Sequence, residues 1–497
     1  MKFKSTRDSN VYIDSKNALL KGISDEGGLF IPEEFPKLGS INHMMDMQYK
    51  DLAYYILGKF FTDFTPEELS ACVNGAYNST NFSDPYIAPI RKTSDRYFVE
   101  LYHGRTSAFK DMALSIFPYF IQTALKTSEE FDNIVILVAT SGDTGKAALE
   151  GFKDVDNIRI AVLYPQDGVS SIQKLQMQTQ EGNNTYVLGV VGNFDDCQTT
   201  VKNIFANKEF NKKLNEDRIQ LSSANSINVG RLLPQIVYYY SSYINLLKFG
   251  EIKNNEKINI VVPTGNFGNI LAAYYAKEMG LPINKLICAS NDNNVLTDFI
   301  NKGIYDKNND LILTTSPSMD VLVSSNVERF LYHMSNENTD IVSDLMKKLN
   351  EKGRYEIDDS ILNNMDFMNA YYAKEEEVNE KILSTLLNEK YLIDTHTAVA
   401  SVAYDKYLKE TDDRTKTLID STASPYKFSK DILKALDIDT NNLNDFEIMN
   451  KLHNITSVPI PKNLSSLQNK EIRFNEYSKK EDILNNIKKF IGDNNNA

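Results

Sequence analysis

Short apolar runs alternate with longer helical patterns through the middle of this chain, and that alternation constrains the fold more than any other feature. Strand-like runs are predicted at residues 97–101, 134–139, 158–164, 186–191, 258–263 and 285–289. Helical patterns lie between most of these runs, which is typical of parallel strands covered by helices on both faces of a sheet. The run 134–138 is apolar throughout, as expected of a strand with both faces buried. The sequence therefore predicts an α/β fold.

The size and charge of the chain narrow its functional class. A length of 497 residues predicts two or three domains, because a single core rarely grows to that size. The net charge of −13 argues against nucleic acid as a partner, since binding nucleic acid requires a basic surface. Any phosphate site must therefore be locally positive. No apolar run approaches membrane-spanning length, so no membrane partner is expected.

The three cysteines bear on metal binding and on location. Cys72, Cys197 and Cys288 are scattered and show neither metal-site nor disulfide spacing, so no metal site is predicted. Free thiols are typical of a reducing compartment. The first residues also lack the apolar core of a secretion signal, and a cytoplasmic protein is expected.

Lys110 is the first candidate for chemistry. It follows a loop that breaks at Gly104, and it stands at the start of a helix predicted over residues 112–127. Ala108 and Phe109 precede it, and desolvation in apolar company lowers the pKa of a lysine. An amine prepared in this way can attack a carbonyl and form a Schiff base. The simpler interpretation is a lysine whose stem packs and whose charge reaches water, and for one lysine alone that interpretation is preferred.

Two glycine-containing loops change that balance. Residues 140–145 and 264–269 each follow an apolar strand and precede a helix. Such loops expose backbone N–H groups, and the helix dipole favours anions there. Gly265 and Gly268 allow the backbone to approach a phosphate closely. Either loop alone is a weak signal, because glycine is common in turns. Together with Lys110 they predict a binding site at the carboxyl ends of the strands.

The polar stretch 223–231 is open to two interpretations. It precedes an apolar helical pattern, and so it could simply cap that helix. Alternatively, its amide, hydroxyl and guanidinium groups form an anion pocket. Arg231 is the natural charged group in such a pocket, because a guanidinium binds phosphate through two parallel hydrogen bonds.

Six motifs, in this order along the chain, resemble motifs of the threonine synthase family: residues 103–104, 107–111, 139–145, 223–228, 263–269 and 421–428. That family belongs to the fold type II enzymes (tryptophan synthase β-like) that depend on pyridoxal 5′-phosphate (PLP). The resemblance extends over residues 1 to about 440. It implies two α/β lobes with parallel-sheet cores, PLP in the cleft between them, and an N-terminal cap domain. The predicted domains are residues 1–85 (cap), 86–435 (two-lobed core) and 436–497 (helical extension).

The resemblance also implies a reaction, the conversion of O-phospho-L-homoserine and water to L-threonine and phosphate as the last step of threonine biosynthesis. Lys110 would hold PLP covalently and then transfer protons at the substrate carbons. Thr422 would place its hydroxyl against the pyridine nitrogen, although a turn at the strand end also explains this residue. The backbone amides expected to bind the cofactor phosphate are those of Gly265, Asn266, Phe267, Gly268 and Asn269.

The substrate would be held by two further groups of residues. Thr140, Ser141 and Thr144 are expected around its carboxylate, and the polar stretch would hold its phosphate. Asp143 near a carboxylate would be repelled, so it is expected to orient its neighbours or to face the cofactor. The phosphate ligands implied are Asn225, Ser226, Asn228 and Arg231.

Two positions depart from the family pattern, and two other functions are compatible with the sequence. Arg105 and Thr395 stand where the family usually has proline, and Arg105 could add a phosphate contact. His396, at a helix start, is expected to play a structural hydrogen-bonding role. The competing functions are another fold type II lyase acting on a phosphorylated or hydroxylated amino acid, and a catalytically silent PLP-binding relative. The presence of Lys110 argues against the silent relative, and either a monomer or a homodimer is compatible with the sequence.

Overall fold

The computed structural model of the protein describes residues 1–166 and 168–492. The last five residues of the predicted C-terminal extension, 493–497, lie outside them. In chain order the strands are β1 (Phe3–Ser5), β2 (Tyr12–Ile13), β3 (Phe30–Pro32), β4 (Ile90–Lys92), β5 (Tyr97–Glu100), β6 (Asn133–Ala139), β7 (Ile158–Pro165), β8 (Thr185–Val190), β9 (Ile219–Ser222), β10 (Ile258–Pro263), β11 (Ile283–Ser290), β12 (Ile304–Asp306), β13 (Arg354–Glu356), β14 (Met368–Tyr372), β15 (Thr417–Ser421) and β16 (Tyr477–Ser478).

The helices occupy most of the intervening chain. In order they are α1 (Ser15–Lys21), α2 (Tyr49–Leu57), α3 (Pro66–Ala76), α4 (Asp111–Leu114), α5 (Phe117–Lys126), α6 (Asp143–Phe152), α7 (Ser171–Gln178), α8 (Phe194–Ala206), α9 (Lys208–Glu216), α10 (Val229–Leu232), α11 (Gln235–Lys248), α12 (Gly268–Glu278), α13 (Val295–Lys302), α14 (Val327–Met334), α15 (Thr339–Lys352), α16 (Asp359–Asn363), α17 (Glu375–Ser384), α18 (Thr395–Thr411), α19 (Ser429–Ala435), α20 (Asp445–Thr456), α21 (Lys462–Ser465) and α22 (Lys480–Gly492).

Two large sheets organise the molecule. The first has the strand order β16-β8-β7-β6-β9, with every neighbouring pair parallel. The second has the order β14-β11-β10-β15-β5-β4, and only the edge strand β4 is antiparallel to its neighbour. Strand β6 is buried along nearly its whole length, as its uninterrupted apolar sequence predicts. The expected α/β fold with two parallel-sheet cores is confirmed.

The helix predicted over residues 112–127 is interrupted in the structure. Helix α4 ends at Leu114, and α5 begins at Phe117. Pro118 lies in the first turn of α5, where its missing N–H removes no helical hydrogen bond. The prediction of one helix over residues 112–127 was therefore wrong, because the proline lies in the first turn of a second helix.

The N-terminal segment packs tightly against the rest of the chain. Its small antiparallel sheet, β2-β1-β3, is followed by α1, α2 and α3. Phe3, Leu19 and Ile56 belong to the same hydrophobic cluster as Phe120 and Leu232. A continuous core therefore joins this segment to the lobes, and the division into separate domains stays a prediction.

The C-terminal segment is not wholly helical. Besides α20, α21 and α22 it contains β16, which extends the first sheet by pairing Tyr477 with Gly189 of β8. In α22 the side chains of Ile483, Ile487 and Ile491 are buried in the core of the first lobe. Within the described residues, the structure contains no helix long and apolar enough to cross a membrane.

Candidate functional site

Five parallel strands from both sheets end around one cavity of about 650 Å³. The loops after β5, β6, β9, β10 and β15 all contribute to its lining. Ligands bind at the carboxyl ends of strands in open α/β sheets because the loops there present unpaired backbone groups. The cavity therefore lies where the sequence places the candidate site.

Lys110 points into this cavity from the loop that follows β5. Its side chain is 11% exposed, and its Nζ lies 3.4 Å from Ser318 Oγ and 3.7 Å from a carboxylate oxygen of Asp143. Burial lowers the pKa of Lys110 to about 8, against the attraction of Asp143 and with the repulsion of Lys427 and Arg231. A substantial fraction of the amine is therefore neutral near physiological pH, as a nucleophilic lysine requires.

Asp143 is paired with a second buried lysine. Lys427 is fully buried, and its Nζ lies 2.5 Å from Asp143 Oδ1. Gln173 Nε2 donates to the same oxygen at 2.7 Å. Burial alone would raise the pKa of Asp143, but Lys427 and Lys110 outweigh that effect and lower the pKa well below its usual range. Asp143 is thus an anion held between two lysines, and its orienting role stays a prediction.

The glycine-rich loop (residues 264–269) presents its backbone to the cavity. Phe267 adopts a left-handed conformation with φ of 62° and precedes α12. A Cβ at Gly265 would lie 2.4 Å from the carbonyl oxygen of Ser318, so only glycine fits there. No described residue accepts a hydrogen bond from the backbone N–H groups of residues 265–269. Free amides at a helix start form an anion-binding site.

The side chain of Asn269 bonds to other parts of the chain. Tyr239 Oη donates to Asn269 Oδ1 at 2.6 Å, and Asn269 Nδ2 donates to Asp420 Oδ2 at 2.9 Å. Asp420 lies on β15 and is completely buried. Burial raises its pKa to about 7. This network ties the glycine-rich loop to the strand that leads into Thr422, which lines the cavity.

The loop after β6 is shaped by Thr140. Its Oγ1 accepts hydrogen bonds from the backbone N–H groups of Gly142 at 3.0 Å and Gly145 at 2.8 Å. The hydroxyl proton of Thr140 is therefore left to donate elsewhere. Ser141 and Thr144 line the cavity beside it. Helix α6 begins within the predicted loop 140–145, at Asp143, and its N-terminus adds a positive potential.

The polar loop (residues 223–228) and Arg231 form a second candidate anion-binding region. Arg231 is 4% exposed and lines the cavity together with Asn225 and Ser226. Its Nη1 donates to Ala224 O at 2.5 Å, whereas its Nε has no hydrogen-bond partner in the described part of the chain. Burial lowers its pKa to about 10. A buried, incompletely bonded guanidinium is suited to an anionic ligand.

Asn228 differs from its expected role. Its Oδ1 accepts from the backbone N–H of Gly230 at 2.9 Å, and its Nδ2 donates to Leu19 O at 2.8 Å. Both ends of the amide are thus occupied, and Asn228 is completely buried outside the cavity lining. It caps α10, which is the structural interpretation of this stretch.

The chain matches known proteins over nearly its whole length. The family models described as "Threonine synthase N terminus" and "Threonine synthase, C-terminal" match residues 2–77 and 397–491. Threonine synthase from Saccharomyces cerevisiae is 36% identical over 466 residues, covering 87% of this chain and 89% of the relative. Threonine synthase-like 1 from Homo sapiens is 41% identical over 436 residues, covering 85% of this chain.

The chain belongs to the threonine synthase family. It spans 58% of the length of the human relative. Two solved structures agree with the assignment and with the fold. The crystal structure of PLP-bound threonine synthase from Brucella melitensis has a TM-score of 0.86 and 32% identity, covering 99% of this chain and 98% of that chain. The yeast threonine synthase structure has a TM-score of 0.86, 31% identity and coverage of 99% on both sides.

Two site residues were not predicted from the threonine synthase motifs. Ser318 contacts Lys110, and its backbone N–H donates to His396 Nε2 at 3.2 Å. Lys427 lies between Tyr426 and Phe428, in the same kind of apolar company that marked Lys110. That signal was present in the sequence, but its partner Asp143 could not be inferred from it.

His396 has the hydrogen-bonding role that its position favoured. Its Nε2 accepts from Ser318, and its Nδ1 lies 2.9 Å from Asp394 Oδ1. Because Nε2 accepts, the ring proton must reside on Nδ1. The imidazole therefore holds the Ser318 segment and has no nitrogen left to act as a base.

Arg105 and Thr395, at the two positions where the resemblance implies proline, both form side-chain hydrogen bonds. The Arg105 guanidinium donates to the side-chain oxygen of Asn81, and Arg105 does not line the cavity. The suggested phosphate contact of Arg105 therefore stays a prediction that these contacts do not support. Thr395 occupies the first position of α18, where proline is also favoured. Its hydroxyl donates to Thr315 O at 2.7 Å, a bond that proline could not form.

Proposed function

We propose that the protein is a threonine synthase, a PLP-dependent carbon–oxygen lyase that converts O-phospho-L-homoserine and water to L-threonine and phosphate. The observation that supports this proposal best is that two candidate anion-binding regions and a lysine of lowered pKa, Lys110, surround a single cavity. One region consists of backbone amides and the other is built around Arg231. A cofactor with one phosphate and a substrate with another require both.

The residues present fit PLP. The free amides of residues 265–269 and the close backbone approach at Gly265 suit its phosphate. Lys110 would bond covalently to its aldehyde carbon, and Thr422 would place a neutral hydroxyl at its ring nitrogen. When bound, PLP withdraws electrons from the substrate carbons and so makes their protons acidic.

The chain's own groups would then orient the substrate and move protons. Arg231, Asn225 and Ser226 would bind the substrate phosphate before and after it leaves. Thr140 would donate its hydroxyl proton to the substrate carboxylate, with Ser141 and Thr144 nearby. Lys110, once released, would carry protons between the substrate carbons. Asp143, neutralised by Lys427, would keep Lys110 close without repelling the carboxylate.

The main alternative is a fold type II lyase acting on a phosphorylated or hydroxylated amino acid. A substrate without phosphate would leave the buried Arg231 without an anion. The observations around Arg231 therefore favour the phosphorylated substrate. A catalytically silent relative would have no need for the lowered pKa of Lys110.

A cytoplasmic location and a monomeric or homodimeric state are part of the proposal. Burial raises the pKa values of Cys72 to about 11 and of Cys197 and Cys288 to about 12. The three thiols are buried and form no disulfide with one another, as is typical of a reducing compartment.

The direct test is a visible absorption spectrum with PLP, followed by addition of O-phospho-L-homoserine. We expect an absorption band that borohydride bleaches, attachment of the cofactor to Lys110, and equal amounts of phosphate and threonine. Lys110→Ala should lose the band and the products, whereas Lys146→Ala, at another buried lysine, should keep both. Phosphate with a keto acid in place of threonine would establish the alternative lyase. The absence of a band at every PLP concentration would overturn the assignment.

A further inference from the structure

Arg329 lies behind the cavity and does not line it. It belongs to α14 and is completely buried. The neighbouring carboxylate, Glu328, is engaged by Arg7 at 2.6 Å. A buried guanidinium without a carboxylate partner is unfavourable unless its donors are satisfied in another way. The hydrogen-bond acceptors of Arg329 therefore show which parts of the chain it holds together.

The hydrogen bonds of Arg329 go to oxygens of two distant chain segments and to Asn326, just before α14. Its Nε donates to Phe30 O at 2.8 Å, and its Nη1 donates to Ser226 O at 3.4 Å and to Asn326 Oδ1 at 2.5 Å. Its Nη2 donates to the carbonyl oxygen of Ile227. One side chain thus joins the N-terminal sheet, the polar loop and the segment before α14.

Asn326 continues this connection to the glycine-rich loop. Its Nδ2 donates to Ser226 Oγ at 3.0 Å and to Asn266 O at 3.1 Å, and its backbone N–H donates to Asn266 O at 3.2 Å. The two loops lie close together, because a Cβ added at Gly268 would come within 3.4 Å of Ser226 Cβ. Arg329 and Asn326 therefore form a bridge between the two anion-binding regions.

We infer that Arg329 is a positioning residue that holds the polar loop and the glycine-rich loop in one arrangement, so that each anion is bound tightly only while the bridge is intact. The inference rests on the proposed function for the identity of the two anions. Occupation of one loop then favours binding at the other, and this coupling must be reciprocal.

The electrostatics of the bridge support the same conclusion. Arg329 donates to the carbonyl oxygens of Ser226 and Ile227. These bonds offset the partial negative charge of the two oxygens, which is unfavourable for a phosphate at this loop. Burial lowers the pKa of Arg329 to about 10, as it does for Arg231. Two buried arginines donate to carbonyl oxygens of this one loop, Arg231 from α10 and Arg329 from α14, and they leave a positive potential that a bound anion would relieve.

The experiment compares Arg329→Lys and Asn326→Ala with the wild-type holoenzyme and with Arg96→Lys. Arg96 is a suitable control because it is also buried but pairs with Asp95 and Asp405 away from the cavity. Four quantities are measured: the dissociation constant of PLP, KM and kcat for O-phospho-L-homoserine, and the thermal midpoint. A fifth is the thermal shift that inorganic phosphate produces in the PLP-loaded protein.

Both bridge variants should raise the PLP dissociation constant and KM by about tenfold or more, while kcat falls less than threefold. The phosphate-induced thermal shift should be lost. A change in thermal midpoint alone, equal to that of Arg96→Lys, would overturn the inference, as would an effect on only one of the two anions. If the wild type binds PLP but makes no threonine, the proposed function fails, whereas the PLP and inorganic phosphate measurements still decide the role of Arg329.

Discussion

Two buried cations face the same cavity, and their surroundings differ in kind. Lys110 lies 3.7 Å from Asp143, and its pKa is lowered to about 8. Arg231 forms no ion pair within the described residues, and its lowered pKa of about 10 still leaves it charged at neutral pH. The lysine can therefore gain and lose a proton under physiological conditions, whereas the arginine cannot.

The difference separates proton transfer from anion binding. A lysine changes its protonation state readily when it is buried, and a guanidinium provides a permanent charge with fixed donor geometry. Asp143 and Lys427 adjust the lysine from one side. The carbonyl oxygen of Ala224 fixes the arginine without cancelling its charge. Substitutions of Arg231 and of the residues around Lys110 test whether one cation binds the anion and the other transfers protons.

The largest effect is expected from Arg231→Met. Loss of the charge should raise KM for O-phospho-L-homoserine about a hundredfold, which corresponds to about 2.7 kcal/mol. The absorption band of bound PLP should be unchanged. Arg231→Lys keeps the charge but loses the paired donors, and it should give an intermediate KM. Steady-state kinetics check this expectation, and a KM within threefold of wild type in Arg231→Met would refute it.

The second effect concerns the pH at which Lys110 becomes reactive. In the cofactor-free protein, the rate of PLP attachment should rise with pH with a midpoint near 8, because only the neutral amine attacks. Lys427→Met removes a repelling cation and frees Asp143 to pair with Lys110. The pKa of Lys110 and the midpoint should therefore move upward, by about one pH unit.

Stopped-flow absorbance over pH 6–10 measures that midpoint. Lys146→Met is the matched control, since Lys146 is buried but bonds to Glu150 and Gln180. A downward movement in Lys427→Met, or an equal movement in the control, would contradict the account of Asp143 as a shared anion.

A third effect tests Asp420, a buried carboxyl group with no cationic partner among the described residues. The pKa of Asp420 is raised to about 7 by burial, whereas an unfolded aspartate has a pKa of about 3.9. Between about pH 3.9 and about pH 7 the folded state therefore binds one more proton at Asp420 than the unfolded state does. The stability that this proton contributes is lost as the pH rises toward about 7. The free energy of unfolding should fall between pH 5 and pH 8 in the wild type and fall less in Asp420→Asn. Denaturant titrations at pH 5 and pH 8 measure the free energy of unfolding of both proteins. An equal change between the two pH values in wild type and Asp420→Asn would rule out this role of Asp420.

The smallest effect is expected from Arg105→Pro. The Arg105 guanidinium bonds to Asn81 outside the cavity, so activity should stay within about twofold of wild type. Arg105→Ala removes the same bond without adding a proline and serves as the control. A raised KM with an unchanged thermal midpoint would instead show that Arg105 takes part in substrate binding.

The parts of the fold that were predictable depend on local pattern. Strands β6, β7 and β10 coincide closely with apolar runs, because a strand buried on both faces needs an uninterrupted apolar sequence. Strand β16 was not predicted, since its two residues gain strand geometry only by pairing with β8. Strand β14 at the edge of the second sheet also escaped prediction.

The same division applies to the site. The loops that line the cavity were predictable because glycine and hydroxyl residues mark the ends of strands. The contacts between loops were not, because they join residues that are distant in sequence. Lys427 donates to Thr106 O across 321 positions, and Arg329 reaches Ile227 across 102 positions. No local pattern carries information about such pairs.

The pairing of β16 with β8 has a consequence for the protein as it emerges from the ribosome. Strand β8 remains an open edge of the first sheet until Tyr477 appears, about 290 residues later. At ordinary rates of translation this interval lasts roughly 15 to 60 s. An unpaired sheet edge invites association with other chains, so Gly189 and Val190 of β8 are open to such association during that interval and are covered once β16 pairs with them.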